Sequence, residues 1–163
     1  KSELNRLGEK GAWRKSERSI SIVMLDLDNF KLVNDSFGHA EGDRVLRTMG
    51  EAIRSSVRKE ELICRFGGDE FCVILPNTSI QDAAKFGEKI RSLIANNPAL
   101  SYRTATGVDT VRVTASVGVA SVLGMKALDP DKLMKAADRA LYRAKTAGRN
   151  QVAVFDSARD VME

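Results

Sequence analysis

Four carboxylates in two short stretches carry the candidate chemistry of this sequence. Asp26 and Asp28 close an apolar run that begins at Ile20, and Asp69 and Glu70 follow two glycines in RFGGDEF (65–71). Side chains alternate along an extended strand, so Asp26 and Asp28 share one face. Gly67-Gly68 between two apolar runs predicts a tight hairpin turn. If the first strand neighbours that hairpin, Asp26 meets Asp69 and Glu70, and carboxylates packed together repel unless a cation sits among them. Hard oxygen ligands on few residues, with room for phosphate oxygens, describe a Mg²⁺ or Mn²⁺ site that also holds a nucleotide. Each feature alone has a plainer reading. Gly-Gly is also a simple turn with solvated acids beside it, and Asp26 is also a fit N-cap for a helical turn at Phe30–Asn34.

Positioning these acids requires a sheet with crossover helices, and the hydrophobic pattern supplies one. ISIVMLDL (20–27) is continuously apolar to Asp26, as a central buried strand is. Residues 28–43 mix turn formers with a short helical turn, and from Asp43 the positions Val45, Leu46, Met49, Ile53 and Val57 recur at helical spacing. Leu62–Phe66 and Phe71–Leu75 flank the turn as a hairpin that Pro76-Asn77 ends. Ser79 and Asp82 form a capping box for a helix with Ala83, Phe86, Ile90, Leu93 and Ile94 on one face. Residues 99–110 read as a loop. VRVTASVGV (111–119) alternates strictly, as a half-buried strand does. Asp129 and Pro130 start a helix that closes at Gly148, and VAVF (152–155) is a last strand. The order β-α-β-β-α-β-α-β predicts an α+β fold: a ferredoxin-like, palm-type, mostly antiparallel sheet of about five strands flanked by helices.

The 163 residues suit a single domain spanning 1–163, with 1–18 as a polar lead-in segment carrying Leu4, Leu7 and Trp13. A net charge of +4 without a run of five like charges is compatible with an anionic small ligand and argues against nucleic acid. No apolar stretch reaches the roughly 18 residues a membrane helix needs. Cys64 and Cys72 fit no zinc spacing, and His39 is the single histidine, so reduced thiols in the cytosol are expected. A chain opening on Lys1 reads as a piece of something longer.

LDLDNFKLVNDSFGHAEGD (25–43), CRFGGDEF (64–71), VTASVGVA (113–120) and ADRALYRAKTAGRN (137–150), in that order, resemble the GGDEF family. These are diguanylate cyclases, which condense two GTP molecules into cyclic di-GMP, on a palm-like sheet similar to nucleotide cyclases and polymerases. The resemblance runs from about Asn5-Arg6 to Arg149-Asn150. It implies two Mg²⁺ (or Mn²⁺) ions per active site, bound by Asp26, the carbonyl of Leu27, Asp69 and Glu70. Asp69 would also help deprotonate the ribose 3′-OH. Asn34 and Asp43 would read guanine, whose N1–H and 2-amino group both donate to a carboxylate. Lys31 and amides near Phe30 would face the phosphates, Lys145 and Arg149 would clamp the terminal ones, and His39 matches a family histidine. Plainer readings stand beside these: turn residues for Asn34 and Asp43, dipole-favoured cations for Lys145 and Arg149, and a loop-ordering His39.

The resemblance further implies a homodimer for catalysis, an upstream sensory or regulatory domain, and a cytoplasmic location. Several departures stand out. An inhibitory product site that often reads R-x-x-D is RKEE (58–61) here, with Arg58 retained and Glu61 for Asp. Lys89 stands about where an arginine gives a further product contact, and lysine lacks the planar guanidinium fork. The family's opening D-x-L-T-x-L motif lacks its start here, and Asn29 stands where histidine is common. The alternative is a catalytically weak GGDEF module that senses GTP or cyclic di-GMP. The presence of Asp26, Asp69, Glu70, Lys145 and Arg149 speaks against it. A related cyclase or palm using another base is disfavoured by Asn34 and Asp43.

Overall fold

The computed structural model of the chain describes residues 19–103, 110–123 and 129–160. The lead-in at 1–18, with its leucines and Trp13, lies outside the described residues. Strand β1 (Ser19–Asp28) is buried along its whole length, as its continuous apolar run requires. It is followed by α1 (Phe30–Phe37), α2 (His39–Arg54), β2 (Leu62–Gly67), β3 (Glu70–Pro76) and α3 (Ile80–Ala95). A 3₁₀ turn (Pro98–Leu100), β4 (Ser101–Arg103), β5 (Thr110–Arg112), β6 (Thr114–Leu123), α4 (Pro130–Thr146) and β7 (Val152–Val154) complete the order. The main sheet has five strands in the order β2-β3-β1-β6-β7, antiparallel except for the β6–β7 pair. This is the α+β, mostly antiparallel architecture expected from the sequence.

Alternation along β1 sorts the core into two layers. Val23, Leu25 and Leu27 point to one face, against Val33, Val45, Met49 and Ile53 of α1 and α2 and Ile90 and Ile94 of α3. Ile20, Ile22 and Met24 point to the other, against Leu133, Ala136, Ala137 and Leu141 of α4. Asp26 and Asp28 continue the second series, so the acids face α4. The caps behave as read: Ser79 Oγ accepts from the Asp82 N–H at 3.1 Å, and Asp129 Oδ1 accepts from Asp131 and Lys132 at 3.1 and 3.2 Å. Gly148 closes α4 at φ 117°, with the Arg149 N–H donating to the Ala144 carbonyl at 3.0 Å.

Four local expectations are corrected. The helix read from Asp43 begins at His39, because Gly38, at φ 87°, reverses the chain and lets the first turn start at once. The supposed loop at 99–110 contains the 3₁₀ turn and β4, whose Ser101–Arg103 pairs with Thr110–Arg112; residues 104–109 lie outside the described residues. The stretch 111–119 is two strands divided at Val113. Its second part is buried on both faces, since helices cover both sides of the sheet. Leu93 stays 43% exposed, off the packed face of α3.

Helix α4 rests directly on β6 at Gly118, where a Cβ would collide with the Ala137 carbonyl and with Leu141 N and Cα. Those are backbone atoms and cannot swing aside. Gly118→Ala is therefore expected to cost about 3 kcal/mol or more and to lower the melting temperature by roughly 6 °C or more. A calorimetric scan matching the unsubstituted chain would refute this seating of α4.

Candidate active site

The Gly-Gly hairpin lies beside the C-terminal end of β1, and the register places Asp26 directly opposite Glu70. Residues opposed across antiparallel strands share a face, so both carboxylates point to the α4 side. The pairing of β2 with β3 shifts between Arg65 and Gly67, an irregularity that re-aims the tip of the hairpin. The Leu27 N–H donates to the Asp69 carbonyl at 3.4 Å, tying the turn back to β1. Arg65 locks it from the other side, its Nε and Nη2 donating to the Gly68 carbonyl at 3.0 and 2.7 Å. Gly68 adopts φ 40°. This bracing by Arg65 was not foreseen, since nothing in the spacing of a turn-flanking arginine reveals where its fork will land.

Asp26, Leu27, Asp28, Phe30, Lys31, Asp69, Lys145 and Arg149 line one open cleft of about 460 Å³. Burial is the main force pushing the Asp26 carboxyl above the ordinary carboxylate range; the Lys145 hydrogen bond and charge oppose it, and the Asp69 and Glu70 charges add to it. Lys145 Nζ lies 2.7 Å from Asp26 Oδ2. The resemblance implies Lys145 at the terminal phosphates; in this structure its ammonium rests on the acid.

The N-terminus of α1 opens onto the same cleft. Asn29 precedes it at φ 65°, caps it with no side-chain hydrogen bond, and turns its amide to the Arg112 carbonyl at 3.3 Å. The first helical bond runs from the Val33 N–H to the Asn29 carbonyl, which leaves the amides from Phe30 to Leu32 without helical acceptors. With Lys31 beside them, these donors suit an anion. Across the cleft, Arg149 and Asn150 both occupy the left-handed region, φ 62° and 45°, a conformation costing of order 1 kcal/mol or more for each non-glycine residue.

The remaining expected residues sit farther out. Asn34 packs its amide over Gly42, the residue before Asp43, where any Cβ would strike it. Asp43 lines a hollow of about 330 Å³ with Leu46, Arg47, Arg65 and Phe71. His39 is exposed at the start of α2. In RKEE the Glu61 carboxylate accepts from the Arg58 N–H at 2.7 Å, and the Glu61 N–H donates back to the Arg58 carbonyl at 3.1 Å, a closed turn. The Arg58 charge reaches α3, where it contributes to lowering the Asp82 carboxyl after the larger effects of Lys85 and Ser79. Lys89 is exposed on the same helix. Cys64 and Cys72 stand opposite each other on β2 and β3 as free thiols.

The family model of the diguanylate cyclase GGDEF domain matches residues 1–151. The chain belongs to the GGDEF family. It is 41% identical over 133 residues to the response regulator PleD of Caulobacter vibrioides, covering 82% of this chain and 28% of that protein. It is 38% identical over 133 residues to the diguanylate cyclase DgcP of Pseudomonas aeruginosa, covering 82% of this chain and 19% of that one. The chain thus spans less than a third of either relative's length. The coiled coil and GGDEF domain of DgcB from Caulobacter crescentus, solved in complex with c-di-GMP, superposes with a TM-score of 0.78 at 29% identity, over 94% of this chain and 77% of that one. The active GGEEF domain of a diguanylate cyclase from Vibrio cholerae gives 0.72 at 29% identity, over 95% and 88%.

Among the described residues of this GGDEF domain no three His, Cys, Asp or Glu side chains close into a metal cage. The donor set still fits Mg²⁺. That ion binds through one or two carboxylates and completes its shell with water and phosphate oxygens, and the mutual repulsion of Asp26, Asp69 and Glu70 favours a cation between them. Lys145 serves as the local counter-charge.

A consequence follows for pH. A carboxyl raised in the folded state binds its proton more tightly there than in the unfolded chain. Its ionisation therefore lowers stability as pH rises from the ordinary carboxylate range through the raised value. A divalent cation competes with that proton, so the gain in melting temperature on adding Mn²⁺ or Mg²⁺ is expected to grow with pH across this window. Asp26→Asn should remove most of the gain. A cation effect indifferent to that substitution would place the ion elsewhere.

Proposed function

We propose that this domain is the catalytic half-site of a diguanylate cyclase, holding one GTP and joining it to a second GTP held by another copy. The carrying observation is the acidic centre: Asp26 opposite Glu70, with Lys145 Nζ at 2.7 Å, beside a cleft onto which the uncapped start of α1 opens. In this reading the phosphates lie against the amides from Phe30 onward, Lys31 and Arg149, while Asn34 and Asp43 read the guanine edge and His39 borders that pocket. Asp69 takes part in removing the proton of the ribose 3′-OH, which attacks the α-phosphate of the facing nucleotide and expels pyrophosphate. The same step in the opposite direction closes the ring.

Asp26, the Leu27 carbonyl, Asp69 and Glu70 would hold Mg²⁺, or Mn²⁺, two ions per site. Bound there, the ions supply charge neutralisation at the phosphates and lower the pKa of the attacking hydroxyl. Lys145 changes duty in this scheme: with Asp26 committed to a cation, its ammonium is released toward phosphate oxygens. One nucleotide per domain requires a homodimer. An upstream regulatory segment, with a cytoplasmic location, would set when two domains meet. The sensor reading is not favoured, since no acid or cation of the site is missing.

Incubating the chain with GTP and Mg²⁺ should yield cyclic di-GMP and pyrophosphate, with specific activity rising with protein concentration. Asp69→Asn is expected to lower the rate by about a hundredfold or more. A fully active Asp69→Asn protein would remove that residue from the mechanism.

For feedback, we assign Arg58, Glu61 and Lys89 to a product site weaker than R-x-x-D. Glu61 already folds its carboxylate onto the Arg58 N–H at 2.7 Å, and Lys89 lacks a bidentate fork. Calorimetric titration with cyclic di-GMP should show Glu61→Asp tightening binding by about tenfold and Arg58→Ala abolishing it. An indifferent Arg58→Ala would move the product elsewhere.

A further inference from the structure

Asp28 lies two residues beyond Asp26 on the same face of β1 and lines the same cleft, yet its carboxylate is engaged inside the protein. It is only 3% exposed. Its Oδ1 accepts from the Ser116 hydroxyl at 2.7 Å. Its Oδ2 accepts from the Thr114 hydroxyl at 2.6 Å and from the backbone N–H of Asn150 at 3.0 Å. All three donors are neutral, and together they occupy most of the acceptor capacity a metal ion would need.

The Asn150 amide gives this grip its consequence. Asn150 and Arg149 form the left-handed pair after α4, and two further bonds hold it. The Arg149 N–H is fixed on Ala144 at 3.0 Å. Asn150 Oδ1 accepts from Arg91 Nη1 of α3 at 2.6 Å. Arg91 is steadied in turn by Glu88, at 2.8 and 2.6 Å. The Arg149 guanidinium stays untied among the described residues and projects into the cleft with Lys31 and Lys145.

We propose that Asp28 is a positioning residue for phosphate binding and not a metal ligand. Through the Asn150 N–H, and with Arg91 on the Asn150 side chain, it holds Arg149 where its guanidinium meets the terminal phosphates of the nucleotide. This rests on reading the cleft as a GTP site. A metal ligand needs its negative charge, whereas a positioning acceptor needs only its oxygen. Asparagine at 28 keeps one oxygen for Thr114 and Asn150 and turns its amide to Ser116, whose hydroxyl can accept as well as donate.

The test uses the whole chain with Mg²⁺ and compares GTP with GMP, which lacks the terminal phosphates. Arg149→Ala is expected to weaken GTP binding by about tenfold to a hundredfold and to leave GMP nearly unchanged. Asp28→Ala should reproduce that selective loss and add less than about threefold in the Arg149→Ala background, as residues acting through one contact do. Asp28→Asn should recover most of the affinity. Amide exchange followed by NMR should show Asn150 protected in the unsubstituted chain and in Asp28→Asn. If Asp28→Ala does not fold, Arg91→Ala carries the binding test, with a GTP-selective loss expected. The proposal is overturned by Asp28→Asn as damaging as Asp28→Ala, by equal losses for GTP and GMP, by additive losses with Arg149→Ala, or by an unprotected Asn150 amide. A chain that binds no GTP would defeat the cleft reading alone, and Asn150 protection would then decide the Asp28 link.

Discussion

The site depends on one electrostatic conflict: Asp26 is buried at the end of the central strand, across from Glu70 and close to Asp69. Burial and like charge both oppose its ionisation, and one ammonium, that of Lys145, opposes them in turn. Carboxylates in such a place would be replaced by apolar residues if stability alone shaped the strand. Ile20, Ile22 and Met24 show what the same face holds where nothing but packing is asked of it. In the proposed reading a cation and an anionic ligand arriving together ease the conflict, which would couple metal and nucleotide binding.

Positioning that conflict is the work of strand alternation and of α4. Even-numbered residues of β1 pass from core to acid without changing face, and the helix covering that face carries Leu133, Ala137 and Leu141 onto the core and Lys145 onto Asp26. The absence of a side chain at Gly118 sets how closely the helix approaches β6, and so how far an ammonium one turn beyond Leu141 can reach. Beyond the helix, Gly148 turns the chain back, and Arg149 enters the cleft from a left-handed turn. A glycine in the sheet and a glycine at the helix end thus locate the two cations contributed by this element.

Much of this was legible in the sequence, and the limits have physical causes. The alternation that put Asp26 and Asp28 on one face, and the Gly-Gly signal that put Asp69 and Glu70 at a turn, follow from local rules with period 2 and positive φ. Their meeting required only that β1 neighbour β3. The family pattern named Lys145 and Arg149, but neither pattern nor propensity could show Lys145 seated on Asp26, because that contact joins residues 119 apart in sequence through packing. Arg65 and Asp28 were missed as braces for the same reason: a fork on a carbonyl and an acid on a distant amide leave no periodic trace. The buried second half of the 111–119 stretch was misjudged because alternation of Val and Ala with Thr, Ser and Gly looks amphipathic, while small residues such as Ser116 and Gly118 are equally at home under α4.

The incomplete donor set is itself informative about how such a domain is controlled. Three carboxylates without a closed cage bind a bare cation weakly, and phosphate oxygens must supply the missing ligands. In the proposed reading the nucleotide would therefore finish the site it occupies, in an open cleft of about 460 Å³. A half-site of the proposed kind would hold its nucleotide ready without reacting, since the second nucleotide would be delivered by another copy. Control over encounter would then act as control over chemistry. The bracing of the hairpin by Arg65 and of the Arg149 turn by Asp28 and Arg91 fits that division: the pieces proposed to touch substrate are fixed beforehand, and what would vary is whether two of them face each other.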